Sequence, residues 1–243
     1  MYGWSLNGMG IGTAVRRIPH SGEEHLICAI ARTTDPRGAV CLDVGANEGD
    51  YSRALAEHLP GASIHAFEPV ERTCEELRET LASTGVTVHR VALGAQRGSA
   101  EMHVIEGHSQ LASLHPLLSH PSRPESSVEV VEVTTLDEWA AANDIPRIAL
   151  LKIDVEGAEL EVLRGASRMI RDGAIDMVQF EFGTRNFVAG SMMRDFFEIL
   201  PGYRMHRVVV DGLAPMRKYN NTMELPISAT NYLAVRDGVT VPD

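Results

Sequence analysis

The stretch Leu42-Asp-Val-Gly-Ala-Asn-Glu-Gly-Asp-Tyr51 decides the fold. Residues 39–44 form an apolar run that ends at a glycine, which is how a buried strand reads. Gly45 and Gly49 then bracket a turn into a helix over 50–59, with Tyr51, Leu55 and Leu59 on one face. Pro60-Gly61 ends that helix. Glycines in such a turn let the backbone come close to a ligand. In an open α/β sheet the ligand lies beyond the carboxyl ends of the strands, at the switch point.

The same alternation extends along the chain. Residues 63–67 read as a second strand and 72–81 as a helix aligning Cys74, Leu77 and Leu81. Residues 86–93 read as a third strand. Further strands are expected at 149–153, 176–182, 204–210 and 232–235, and helices at 157–171 and 192–200. Strand and helix in turn imply a parallel sheet with right-handed crossovers. The fold class is therefore α/β, a Rossmann-like three-layer sandwich around a mostly parallel seven-stranded sheet. Residues 1–38 read as an N-terminal arm and one helix over 23–32, with Ser21 as its N-cap. Residues 39–243 read as the main domain. An insertion near 98–134 holds two strands, at 100–105 and 128–133, around a His-, Ser- and Pro-rich loop. Thr135-Leu-Asp-Glu138 has the form of a capping box that opens the next helix.

Composition narrows the functional classes. The 243 residues carry 22 Lys and Arg against 33 Asp and Glu, a net charge of −11, so neither nucleic acid nor an anionic membrane is an expected partner. Cys28, Cys41 and Cys74 show no metal-like spacing, and so few cysteines suit a reducing cytoplasm. No apolar run approaches the roughly 18 residues of a membrane span, and the N-terminus does not read as a signal peptide. A small-molecule acceptor is the expected partner, and a homodimer stays open.

Acids then mark the binding edge. A pyrophosphate binder carries G-x-G-x-x-G, with phosphate over the helix N-terminus. Here the loop is D-x-G-x-x-x-G, with Glu48 and Asp50 at the helix entrance. Those charges repel phosphate and suit an ammonium and a sulfonium, which points to S-adenosylmethionine. The plainer reading is a tight turn with acidic helix caps. The second strand ends in Phe67-Glu68-Pro69, and Glu68 lies 25 residues after Asp43, where an acid holds a ribose diol. Asp154, Glu156 and Glu159 close the strand at 149–153 on the same edge. Like charges there cost repulsion, which a cationic ligand, a metal or a needed base would offset. The plainer reading of Glu159, and of Glu156, is as first-turn helix acids that favour the macrodipole, whereas Asp154 stands at the strand end itself.

These segments resemble the FkbM-type methyltransferases, a branch of the class I S-adenosylmethionine-dependent enzymes. The resemblance rests on Asp43-Val-Gly-Ala-Asn-Glu-Gly-Asp-Tyr51, Phe67-Glu-Pro69, Thr135-Leu-Asp137 and Leu151-Lys-Ile-Asp-Val-Glu-Gly-Ala-Glu159, which continues to Val162-Leu-Arg-Gly-Ala166. Ser21-Gly-Glu23 and Gly107-His-Ser-Gln-Leu-Ala-Ser-Leu114 are similar to family segments too. It covers residues 20–182 and is loose from Gly183 onward. It implies O-methylation of a hydroxyl on a polyketide, a sugar or another secondary metabolite, and an antiparallel last strand. It places Asp43, Gly45 and Asn47 at the methionine end of the cofactor, Glu68 on the ribose, Ala92 near the adenine, and Ser109 and Ser113 at the methyl-transfer site. Glu23, Ala46, Gly49, Tyr51, Ser52, Pro69 and Asp154 complete the implied cofactor-binding set.

Methyl transfer to a hydroxyl needs alignment of donor and acceptor and removal of a proton. Asp154 and Glu181, with Glu156, are the expected catalytic acids, and His108 and His115 are further candidate bases. A divalent metal held by Asp154, Glu181 and a third acid or histidine would use the same residues, although the spacing is no known metal motif. Met192, Met193, Phe196 and Phe197 read as acceptor pocket, core or oligomer contact. Three other functions stay open: N-methylation of an amine, a non-catalytic cofactor-binding protein, and a nicotinamide oxidoreductase, the last disfavoured by the missing third glycine.

Overall fold

A computed structural model describes residues 22–105, 126–224 and 229–242. Helix α1 (Glu23–Thr33) precedes strand β1 (Val40–Val44), helix α2 (Asp50–His58), β2 (Ser63–Phe67), α3 (Glu71–Leu81) and β3 (Thr87–His89). Next come β4 (Ala92–Leu93), β5 (Gly98–Ile105), β6 (Ser126–Thr134), α4 (Leu136–Ala142) and β7 (Ile148–Ile153). The chain continues through α5 (Glu159–Arg164), α6 (Ser167–Arg171), β8 (Ile175–Phe182), α7 (Thr184–Val188) and α8 (Met193–Ile199). It finishes with β9 (Tyr203–Val209), β10 (Gly212–Met216), a short 3₁₀ turn (Asn221–Glu224) and β11 (Thr230–Arg236).

The main sheet runs β10-β9-β11-β8-β7-β1-β2-β3. From β1 the chain winds outward through β2 to β3, then returns to β7 on the other side and winds outward to β8. The switch point therefore falls between β1 and β7, which pair in parallel. β11 runs antiparallel between β8 and β9. The seven expected strands are present, and β10 adds an eighth at the edge. It joins β9 through the two-residue turn Val210-Asp211, with Gly212 opposite Val209. Pro215 is tolerated there because an edge strand needs fewer ladder donors.

Two expected elements are divided. The strand expected over 86–93 breaks after His89, and β4 instead pairs with β6 in a small sheet ordered β4-β6-β5. The helix expected over 157–171 breaks at Gly165, where an added Cβ would lie 2.1 Å from the Gly94 carbonyl oxygen. Asp137 restarts it, because its carboxylate accepts from the Arg168 and Met169 amides at 2.8 and 3.0 Å. Thr135 caps α4 as expected, accepting from the Glu138 amide at 3.1 Å. The cap position of α1 is Gly22, with φ 86°, and the expected cap Ser21 lies outside the described residues.

One core layer packs Leu136, Leu163, Phe180, Phe182 and Phe196 between the sheet and helices α4, α5 and α8. The other packs Leu26, Ile30, Leu55 and Leu150 under α1 and α2. Met193 and Phe196 are buried in the first layer, whereas Met192 is exposed. On the first face Phe67, His65 and His89 meet Trp139, and His65 Nδ1 lies 3.0 Å from His89 Nε2. Burial, then His65, lowers the His89 pKa to about 4. An unfolded histidine titrates near 6.5. Between those values the unfolded chain binds more protons, so stability is present above about 6.5 and declines as pH falls towards about 4. The His89 contribution is therefore read as a difference: between pH 7.5 and 4.5 the unfolding midpoint of the unmodified protein is expected to fall relative to that of His89→Gln. An unchanged slope in the variant would remove His89 as the cause.

Candidate active site

β1, β2, β7 and β8 run parallel, so their carboxyl ends share one edge. Sheet parity selects the face. Asp43 is the register partner of Lys152, and Lys152 is the partner of Gln179. Side chains at paired positions point the same way, so these three form a polar row across the face under α1 and α2. Two residues further on, Asp154 and Glu181 stand on that face at the open edge, with Asn231 opposite Glu181.

The row is knitted together. Ser52 donates to Asp43 at 2.7 Å, and Tyr51 donates to the Gln179 side-chain oxygen at 2.6 Å. The Gln179 amide donates to Glu23 at 2.9 Å and more weakly to Asn231 at 3.4 Å. Lys152 lies 2.9 Å from Asp154 and 3.8 Å from Glu23, with its ammonium 5.3 Å from the Tyr51 ring centre. Burial alone would lower the Lys152 pKa, but Asp154, Glu23 and Asp43 together carry it above its ordinary value. Burial pushes Asp43 up to about 6 despite Lys152 and Ser52. Tyr51, Ser52 and Glu23 are thus turned inward, each bonded to another protein group.

The glycine loop is shaped by packing. The Gly45 and Ala46 amides both donate to the Phe67 carbonyl at 3.0 Å. Gly45 has φ 84°, and an added Cβ would lie 1.9 Å from the Asp154 carbonyl oxygen. At Gly49, with φ 83°, it would lie 2.7 Å from a Leu77 methyl. Both glycines are required where the end of β7 and the flank of α3 pass close to the loop. Asn47 adopts φ 45°, and its buried Oδ1 has no hydrogen-bond partner among the described residues. Its amide and the Val70 amide donate to the two Glu68 oxygens at 3.3 and 3.0 Å. Burial still lifts Glu68 to about 7. Pro69 is half-buried beside it, and Ala92 is buried against Val70 in the core of the small sheet.

The loop after β7 is the second clamp. Glu159 accepts from the Val155 and Gly157 amides at 3.0 and 3.1 Å and from Asn186 Nδ2 at 2.6 Å. Asn186 in turn accepts from the Gly183 amide at 2.7 Å, which ties the ends of β7 and β8 together. Glu159 is therefore a structural carboxylate. Glu156 has φ 57° and an ion pair with Arg185 at 2.7 Å, and burial raises it to about 7. Burial, then Asp154, Glu156 and Glu159, raises Glu181 well above the ordinary carboxylate range, with Lys152 opposing.

A cleft of about 350 Å³ opens between α2 and α3, lined by Asn47, Asp50, Arg53, Thr73 and Glu76 among others. It excludes Asp154 and Glu181, so the convergent side chains define the site rather than this cleft. Ser109, Ser113, His108 and His115 lie outside the described residues. Among the described residues no group of three or more His, Cys, Asp or Glu is arranged to hold a metal ion. No described helix is long and apolar enough to cross a membrane.

Reading single residues against the motifs missed Lys152, Gln179, Arg185, Asn186 and Asn231. Lys152 had a signal: it interrupts the otherwise apolar strand β7, and a polar side chain in a buried run needs a partner.

A mostly parallel sheet, with a switch point beside an acid-started glycine loop and a second acid one strand over, defines a Rossmann-like α/β protein. Residues 43–205 match the methyltransferase FkbM domain, and the chain belongs to that family. A 2-O-methyltransferase, NoeI, of Sinorhizobium fredii is 24% identical over 191 residues, covering 74% of this chain and 76% of that protein. The 31-O-demethyl-FK506 methyltransferase FkbM of Streptomyces tacrolimicus is 29% identical over 156 residues, covering 53% of this chain and 59% of that protein. The solved structure of the plantazolicin methyltransferase BpumL in complex with SAH superposes with a TM-score of 0.50 at 10% identity, covering 92% of this chain and 87% of that one. That last likeness concerns the fold alone.

Proposed function

We propose that the protein methylates a hydroxyl group on a small secondary metabolite, such as a polyketide or a sugar, with S-adenosylmethionine as donor. The observation that carries this reading is the placement of Asp154 and Glu181 on one face, at the edge that also holds the glycine loop and Glu68. The family membership and the names of both relatives support it.

The residues fit the cofactor on two structural counts. Asn47 Oδ1 is a buried acceptor in need of a donor. The edge gathers Asp43, Glu68, Asp154, Glu156 and Glu181, with Lys152 and Arg185 as opposing cations, an imbalance that a cationic ligand relieves. Glu68 would take the ribose hydroxyls, and Asn47 and Asp43 the methionine end. Gly45, Ala46 and Gly49 shape the loop, while Glu23, Tyr51 and Ser52 stand behind these contacts. When bound, the cofactor supplies an electrophilic methyl group on a sulfonium. Asp154, with Glu181 beside it on the same edge, accepts the one proton of the acceptor hydroxyl as its oxygen becomes nucleophilic.

Titration calorimetry with S-adenosylhomocysteine tests the binding half. Below about pH 7 Glu68 is protonated and loses acceptor capacity. Affinity is therefore expected to weaken from pH 8 to pH 6, by at most about tenfold per unit for one proton, and Glu68→Gln should bind weakly at all pH values. Absence of binding at any pH would defeat the reading. Tritium-labelled S-adenosylmethionine with a panel of pyranosides and polyketide polyols tests the transfer half.

A further inference from the structure

Lys152 lies between two different environments. On one side is Asp154, whose side chain is 36% exposed at the open edge, whereas the Lys152 side chain itself is 3% exposed. On the other side is Glu23, buried and hydrogen-bonded to Gln179. A lysine ammonium is rarely buried without partners, since its desolvation costs several kcal/mol. The partners here come from separate parts of the chain: Asp154 from the end of its own strand, Asp43 from the adjacent strand, and Glu23 from a helix upstream of the family-matched segment. The groups whose charges act around Asp154 are Lys152, Asp43, Glu156, Glu159 and Glu181, with Arg185 paired to Glu156. Lys152 is the cation hydrogen-bonded to Asp154.

We propose that Lys152 is a positioning residue for the reaction: anchored by Glu23 of the N-terminal helix, its ammonium holds the Asp154 carboxylate in one orientation at the reacting edge. The inference rests on the methyl-transfer reading above. It gives α1 a part in the reaction through one buried side chain. It also explains why a charged residue stands near the carboxyl end of an apolar strand. A lysine that only filled the core would be served better by methionine, which needs no counter-charge.

The test is a double-mutant cycle on turnover, with tritium-labelled S-adenosylmethionine and the best acceptor of the same panel. Lys152→Met is expected to lower turnover by about 10–100-fold, the range seen when the group that orients a reacting ligand is lost. S-adenosylhomocysteine affinity should change far less. In the Asp154→Asn background, Lys152→Met should cause no further loss, because a residue acting through Asp154 has nothing left to act on. Glu23→Gln keeps the size and the ammonium while removing the anchor charge. It supplies a second cycle with Asp154→Asn if Lys152→Met does not fold, as judged by thermal unfolding. Losses that multiply across the cycle would overturn the proposal and leave the methyl-transfer reading standing. Absence of turnover by the unmodified protein on every acceptor would overturn both.

Discussion

Asp154→Asn is expected to lower turnover by about 10²–10⁴-fold, the usual contribution of a positioned general base. The substitution preserves shape and one acceptor oxygen but removes the charge that accepts a proton. Asp154 follows β7, its amide donates to the Val44 carbonyl at 2.9 Å, and its carboxylate receives the Lys152 ammonium. Its backbone placement is thus independent of the side-chain charge, and the variant should fold. Glu181→Gln should act in the same direction, since Glu181 shares the face and edge and carries a raised pKa. Affinity for S-adenosylhomocysteine should fall much less than turnover, because a proton acceptor works in the transition state. Turnover unchanged in both variants would remove the general-base assignment. It would turn attention to an amine acceptor, whose nitrogen needs less help.

The second large effect is expected at Gly45. An alanine there meets two obstacles at once. Its φ of 84° is left-handed, at about 1–2 kcal/mol for a side chain. Its Cβ would lie 1.9 Å from the Asp154 carbonyl oxygen, which is backbone and cannot swing aside. The loop or the end of β7 must shift, and that shift carries Asp154 with it. Gly38 is the control: its φ is 82°, but nothing lies within 4 Å of the added atom. Gly38→Ala should lower the unfolding midpoint by about 2–8 °C, from 2–4 °C per kcal/mol in a chain of this size. Gly45→Ala should exceed that clearly and should abolish S-adenosylhomocysteine binding as well. Equal midpoints for the two variants would mean that the close approach carries no cost.

Much of the architecture was legible because it rests on local chemistry. The run ending at Gly45, the break at Pro60-Gly61 and the Thr135 cap each stem from a few neighbouring residues. Less legible were features set by distant backbone. Gly165 divides a helix because the strand end at Gly94 passes 2.1 Å from where its Cβ would be. β4 leaves the path of β3 because β6, far along the chain, offers it a partner. At the site, acids at strand ends were readable from spacing, since parallel strands bring their carboxyl ends to one edge. Which acids are structural was not readable. Glu159 and Glu156 look alike in the sequence, yet one is bound by two amides and Asn186, while the other pairs with Arg185. The polar row of Asp43, Lys152 and Gln179 needed the register of three strands to become visible.

The position of β11 has a consequence for how the sheet is made. β11 follows both of its neighbours in the sequence, yet it lies between them, pairing with β8 along one side and β9 along the other. Until it arrives, the sheet is two separate pieces with a gap one strand wide. Each piece presents a bare edge of unpaired amides and carbonyls, and such edges are templates for joining other chains. A chain cut before residue 230 therefore does more than lose a strand: it doubles the adhesive margin of the fold. Misassembly in concentrated refolding should begin at that gap, and a synthetic peptide spanning Thr230–Arg236 would be the natural plug for it.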